Sequence, residues 1–177
     1  MADPSAFDAL RIPSSVLIAL DWRPYHFAFQ PYHYLVRATH VLTMAAFFGG
    51  IAALDLRLIG LWRQVPLRGF ADQIIPWLYV TFGVTFVSGI ALFLYDPVHV
   101  GSHAYFSFKL ILTCIGLGNA ALFRQSGYLM SLPSDPSAAV LLNMRARTVG
   151  ALSLVLWTGV ILCACLNVEG VPKVFLR

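Results

Sequence analysis

The chain has 177 residues, of which 59% are hydrophobic, 14% aromatic and only 11% charged. That charged share is less than half of the quarter usual in soluble domains, which excludes an ordinary soluble enzyme and leaves no room for a separate soluble domain beside the apolar stretches. The formal net charge of +4 comes mostly from arginines scattered through the connections; it reads as topology information and not as nucleic-acid binding.

Residues 1–32 form an N-terminal arm. Pro4, Pro13, Pro24 and Pro31 allow only short helical pieces. Ser14 and Ser15 before VLIALDW suit a turn or two lying at the membrane interface, with Trp22 and Tyr25 as headgroup anchors; docking of the arm on a partner is the alternative. Acidic residues stand where a signal peptide would be basic, so no cleavable signal is expected.

A membrane span needs about 20 apolar residues. Four stretches qualify, at about 34–61, 75–95, 105–123 and 148–167. The expected fold is therefore all-α: an integral membrane four-helix bundle over 33–170, preceded by the short interfacial arm and followed by a tail over 171–177. In the first span Gly49 and Gly50 permit close approach by a neighbouring helix, and Asp55 with Arg57 reads as a local or interfacial pair. Pro66 and Gly69 punctuate the first loop, and Pro76 is placed to open the second span in its first turn. The short connection DPVHVGSHAY makes the second and third spans antiparallel neighbours. The third span carries Lys109 one turn in and Asn119 deeper, the latter suited to binding a neighbouring helix. A short helix is expected after Pro136, before Arg145 and Arg147 lead into the last span.

Arg57, Arg63, Arg68, Arg124, Arg145 and Arg147 gather in or beside the two loops at one end, which favours that end as cytoplasmic and both termini as periplasmic. Cys114, Cys163 and Cys165 all fall within spans and fit neither a disulfide framework nor a metal quartet, so buried apolar thiols are expected.

Ionisable groups inside a span are expensive and mark candidate sites. His40 lies about 10 Å along the first helix and Lys109 about 5 Å along the third, so they share a depth. Arg37 lies one turn outward on the His40 face, and His99 and His103 sit in the connection on the same side. A haem b would use His40 as an iron ligand, His103 or His99 as the second, and Arg37 or Lys109 for the propionates. His33 cannot share an iron with His40, seven residues away on one helix. A quinone would need one or two hydrogen-bonding groups beside the apolar walls that Phe47, Phe48, Phe106 and Phe108 offer. The plainer readings are that His40 hydrogen-bonds a carbonyl or threonine on the next helix, that Lys109 snorkels to the headgroups, and that His99 and His103 are solvated.

The runs THVLTMAAFFGGIAALDLRLIGL, PWLYVTFGVTFVSGIALFLYDP and YFSFKLILTCIGLGNAALF, within about 36–165, resemble a family of small bacterial four-helix membrane proteins. Asp55–Leu56–Arg57 after a glycine-rich helix that carries His40, and Phe108–Lys109 opening the third helix, are the most specific pieces. That family is distantly similar to the copper-resistance D proteins and to the HemJ-type protoporphyrinogen oxidase. The similarity implies haem binding through the first-helix histidine and third-helix lysine, here His40 and Lys109, although the helix exit LDLRLIGL departs from the enzyme pattern. The expectation is a bacterial inner-membrane subunit with a haem b or quinone site in its outer half, without catalytic residues of its own. It would serve electron transfer or anchoring in a larger redox complex. The alternatives are a cofactor-free accessory subunit and a protoporphyrinogen oxidase-like enzyme.

Overall fold

The computed structural model describes residues 11–131 and 144–169. The arm contains α1 (Ser14–Leu20) and α2 (Arg23–Phe29), and a single 3-10 turn (Gln30–Tyr32) leads into α3 (His33–Ile59). Then come α4 (Leu67–Tyr95), α5 (Pro97–Gly101), α6 (Ala104–Gln125), α7 (Tyr128–Ser131) and α8 (Met144–Glu169). The described residues form helices and turns with no strand. Four segments are long and apolar enough to cross a bilayer: Arg23–Ile59, Leu67–Tyr95, Ala104–Ser131 and Met144–Leu166. The fold is an all-α bundle, and the chain is a multi-pass membrane protein whose apolar flanks face lipid. The short helix expected after Pro136 lies outside the described residues, as does the tail over 171–177.

Helix α3 ends at Gly60, which takes the left-handed conformation at φ 116° and returns its N–H to the Leu56 and Arg57 carbonyls. Helix α4 begins nine residues earlier than the placement of Pro76 suggested. Pro66 enters extended (φ −61°, ψ 117°), and Leu67 and Ala71, 2% and 1% exposed, bury the first two turns in the core with Leu54 and Leu58. Pro76 is therefore inside the helix. Its missing N–H costs one backbone bond, which the packing of the flanking turns offsets.

The packed pairs are α3 with α4, α6 with α8, and α3 with α8. Helices α4 and α6 are antiparallel as expected and touch through side chains at both ends, but their backbones do not pack closely along their length. A short connection brings helix ends together, but the faces that carry core residues decide which helices pack along their length. Phe93 stacks on Phe106 at 4.8 Å near the connection, and Arg124 at the far end donates to the Tyr79 hydroxyl. The main core gathers Phe47, Ile51, Leu54 and Leu58 from α3, Leu67, Ala71 and Leu78 from α4, and Ala146 and Trp157 from α8. It therefore occupies the half of the bundle toward the α3–α4 loop. The outer surface of α4 shows Trp77, Val80, Val84, Phe86, Val87 and Ile90, a face for lipid.

The arm folds onto its own bundle. Leu17 of α1 is 2% exposed and lies against α5, where a Cβ on Gly101 would come within 2.5 Å of its methyl group. Tyr25 of α2 donates its hydroxyl to the Ala91 carbonyl of α4 at 3.0 Å. Phe29, His26 and His33 surround the Tyr95 ring, with His33 stacked on it at 4.4 Å. Two thiols depart from the sequence expectation: Cys114 and Cys165 are exposed on the bundle surface, and Cys163 is half-buried. An apolar span offers its lipid face and its core equally to a thiol, so composition alone does not distinguish them.

Candidate functional site

His40 sits two turns into α3, half-buried against α4. Its Nδ1 lies 3.0 Å from both the Thr85 carbonyl and the Ser88 Oγ. A carbonyl only accepts, and the Ser88 hydroxyl gives its proton to the Val84 carbonyl at 2.6 Å. Nδ1 therefore carries a proton, and in the neutral form of the ring Nε2 is left with the lone pair. Gly89 makes the approach possible: a Cβ there would stand 3.0 Å from His40 Cε1. One turn deeper Thr85 donates to Thr43 at 2.9 Å, and Thr43 donates to the Thr39 carbonyl at 2.8 Å. Thr85, Ser88 and Gly89 follow the i, i+3, i+4 spacing of one helix face. That pattern was readable in the sequence, but only the α3–α4 pairing identifies it as the seat of His40.

Lys109 of α6 is half-buried with its ammonium 5.0 Å from the Phe106 ring centroid, a cation–π contact on a ring itself stacked against Phe93. It lies within electrostatic range of His40 and of Cys163 of α8. Among the described residues no carboxylate stands within ion-pair distance of it. Each of the four long helices thus contributes a polar group at one depth: His40, Thr85 with Ser88, Lys109 and Cys163.

The other expected site residues are placed differently. Arg37 is exposed one turn outward on α3. His99 and His103 are tied to each other, their rings edge to face at 5.4 Å and His103 Nδ1 donating to the His99 carbonyl at 2.8 Å. Among the described residues, no hydrogen bond or ring contact joins that pair to His40, and no group of three or more His, Cys, Asp or Glu is arranged to hold a metal. His26 pairs with Asp21 at 3.0 Å within the arm.

Deeper in α3, Asp55 and Arg57 do not form the pair expected of them. Residues two apart on a helix point to different sides. Asp55, 3% exposed, meets Ser153 of α8, which hydrogen-bonds its carboxyl, while its Oδ2 has no partner. Arg57, 4% exposed, donates from Nε to the Val65 carbonyl at 2.7 Å and from Nη2 to the Arg63 carbonyl at 3.4 Å; its Nη1 has none. Asn119 does bind its neighbouring helix, donating to the Val149 carbonyl at 3.3 Å.

Fold and site together define a small polytopic bundle with one intramembrane histidine seated on a carbonyl and a hydroxyl of the neighbouring helix. Comparison of the chain with protein-family models, with curated proteins and with solved structures finds no match.

Proposed function

We propose that this chain is an electron-transfer or anchoring subunit of a larger redox complex in a bacterial inner membrane, with a site for a quinone head group or a haem b beside His40. The observation that carries the reading is the orientation of the imidazole. Its Nδ1–H is held by the Thr85 carbonyl and Ser88, so its Nε2 lone pair is presented at the depth of Lys109, a half-buried cation. An anchored Nδ1–H with a free Nε2 is how proteins orient histidines for metals and for proton acceptance. A quinone suits these groups more fully. Lys109 is a donor for a quinone carbonyl oxygen and His40 Nε2 an acceptor for a quinol hydroxyl, with Phe106 as an apolar wall. Haem b would take His40 Nε2 as one ligand and Lys109 or Arg37 for its propionates, with the second ligand drawn from His103 or His99. Bound there, either group supplies electron transfer that the side chains lack.

The test is purification in mild detergent, a dithionite-reduced minus air-oxidised visible spectrum, and solvent extraction with chromatography for quinone. His40→Ala and Lys109→Met should each remove most of the bound cofactor while the helical circular dichroism stays unchanged. Equal cofactor content in the wild type and both variants would overturn the reading.

A second reading, a cofactor-free accessory subunit, is favoured by one observation: Thr85, Ser88 and Gly89 already satisfy and enclose one side of the His40 ring. Intact protein with a flat spectrum, no extractable quinone and a co-purifying membrane partner would select it. The porphyrinogen oxidase reading rests on the family resemblance and predicts rescue of a porphyrinogen-oxidase-deficient strain. Periplasmic termini follow from the arginines at the α3–α4 and α6–α8 connections. In a cysteine-free background, Ser102→Cys should react with an impermeant maleimide in whole cells and Ser126→Cys only after lysis.

A further inference from the structure

The end of the bundle opposite His40 carries a second polar site that the redox reading does not use. Arg57 is 4% exposed and, among the described residues, its Nη1 has no hydrogen-bond partner and no carboxylate stands within ion-pair distance of it. The nearest acid in sequence, Asp55, faces α8 instead. A guanidinium taken out of water without a counter-charge is costly, and its geometry suits oxyanions. Tyr128 of α7 lies within electrostatic range of Arg57, and among the described residues its hydroxyl is also buried without a partner. Beside Tyr128 opens a cavity of about 220 Å³ lined by Phe123, Ser126, Tyr128, Ser131, Arg145 and Ala146. It brings a second arginine beside the unpartnered tyrosine hydroxyl, while the Ser126 and Ser131 hydroxyls donate to the Phe123 and Tyr128 carbonyls.

We propose that this cavity binds a phosphate group, held by Arg145 and the Tyr128 hydroxyl, with Arg57 supplying the buried positive charge. A tetrahedral oxyanion accepts from several donors at once, and arginines are the preferred partners for it. The group comes either from an anionic phospholipid headgroup in the adjoining leaflet or from a free phosphate compound, since the site lies at the membrane-facing end of the helices.

Two measurements on the full-length chain distinguish the sources. Native mass spectrometry after release from nanodiscs of equal phosphatidylglycerol and phosphatidylcholine reads lipid retention. Thermal unfolding in detergent with and without millimolar inorganic phosphate reads the free anion. The variants are Tyr128→Phe, Arg145→Gln and Arg57→Lys; the first two change partly exposed side chains, and the third keeps the charge in case loss of it prevents folding. Selective retention of phosphatidylglycerol, reduced about tenfold in Tyr128→Phe/Arg145→Gln, supports the site with a lipid source. A phosphate-induced rise in Tm of several degrees, absent from that double variant, supports it with a soluble source. Absence of both effects in the wild type, or their persistence at full size in the double variant, overturns the proposal.

Discussion

His40 and Asp55 occupy the same helix and show two ways of holding a polar side chain in an apolar bundle. His40 is oriented by a carbonyl and a hydroxyl of α4, and one of its nitrogens stays available. Asp55 has a hydrogen bond to its carboxyl from Ser153, while its Oδ2 is buried with no partner among the described residues. Ser153→Ala should therefore destabilise the protein by about 1–3 kcal/mol, because it leaves a buried carboxyl with less compensation. Asp55→Asn, which keeps the shape and the acceptor toward Ser153, should cost under about 1 kcal/mol. Thermal unfolding in detergent compares the two directly. A silent Ser153→Ala would mean that Asp55 is satisfied by something else. At this scale the sequence identified His40 and Lys109 as intramembrane ionisable groups and read Asp55 as half of an interfacial pair with Arg57. Thr85 and Ser88 were legible as small residues on one face of α4, but that they seat His40, and that Ser153 meets Asp55, depends on which helices pack together.

Between elements, the glycines separate into those that touch and those that do not. At Gly150 a Cβ would sit 2.9 Å from both the Asp55 carbonyl oxygen and Leu58 Cβ, neither of which can swing aside. At Gly49 a Cβ meets nothing within 4 Å. Gly150→Ala is expected to cost about 1–3 kcal/mol by forcing α3 and α8 apart. Gly49→Ala should be neutral or stabilising by up to about 1 kcal/mol through helix propensity. Equal melting temperatures for the two variants would show that α3 and α8 do not pack at Gly150. In the sequence Gly49 reads as a close-approach position and Gly150 does not stand out, since a span is apolar all round and its pattern does not say which face meets a neighbour. The same lack of amphipathic pattern explains the misplaced start of α4.

For the whole molecule, the arm is the distinctive feature. It folds against the α4–α5 end of the bundle, with Leu17 seated on α5 and Tyr25 bonded to α4. Leu17→Ala removes most of that anchor, a loss of about 2 kcal/mol or more at a buried leucine. Amide hydrogen exchange in α1 should then accelerate at least tenfold while α3 and α8 keep their protection. Unchanged exchange in α1 would show that the arm is held by something other than Leu17.

The amino-acid sequence by itself determined that the chain is helical, crosses a membrane four times and carries ionisable groups at two depths. Those properties follow from composition and run length, because a bilayer admits few ways to satisfy a backbone. Only the tertiary structure decided that α3 lies between α4 and α8, that the arm folds back on its own bundle, that His40 faces Thr85 and Ser88, and that Asp55 and Arg57 are separate. In a chain whose spans are apolar on every side, the hydrophobic pattern is nearly silent about which face meets which. Steric fit at a few glycines and the pairing of scarce polar groups make that choice.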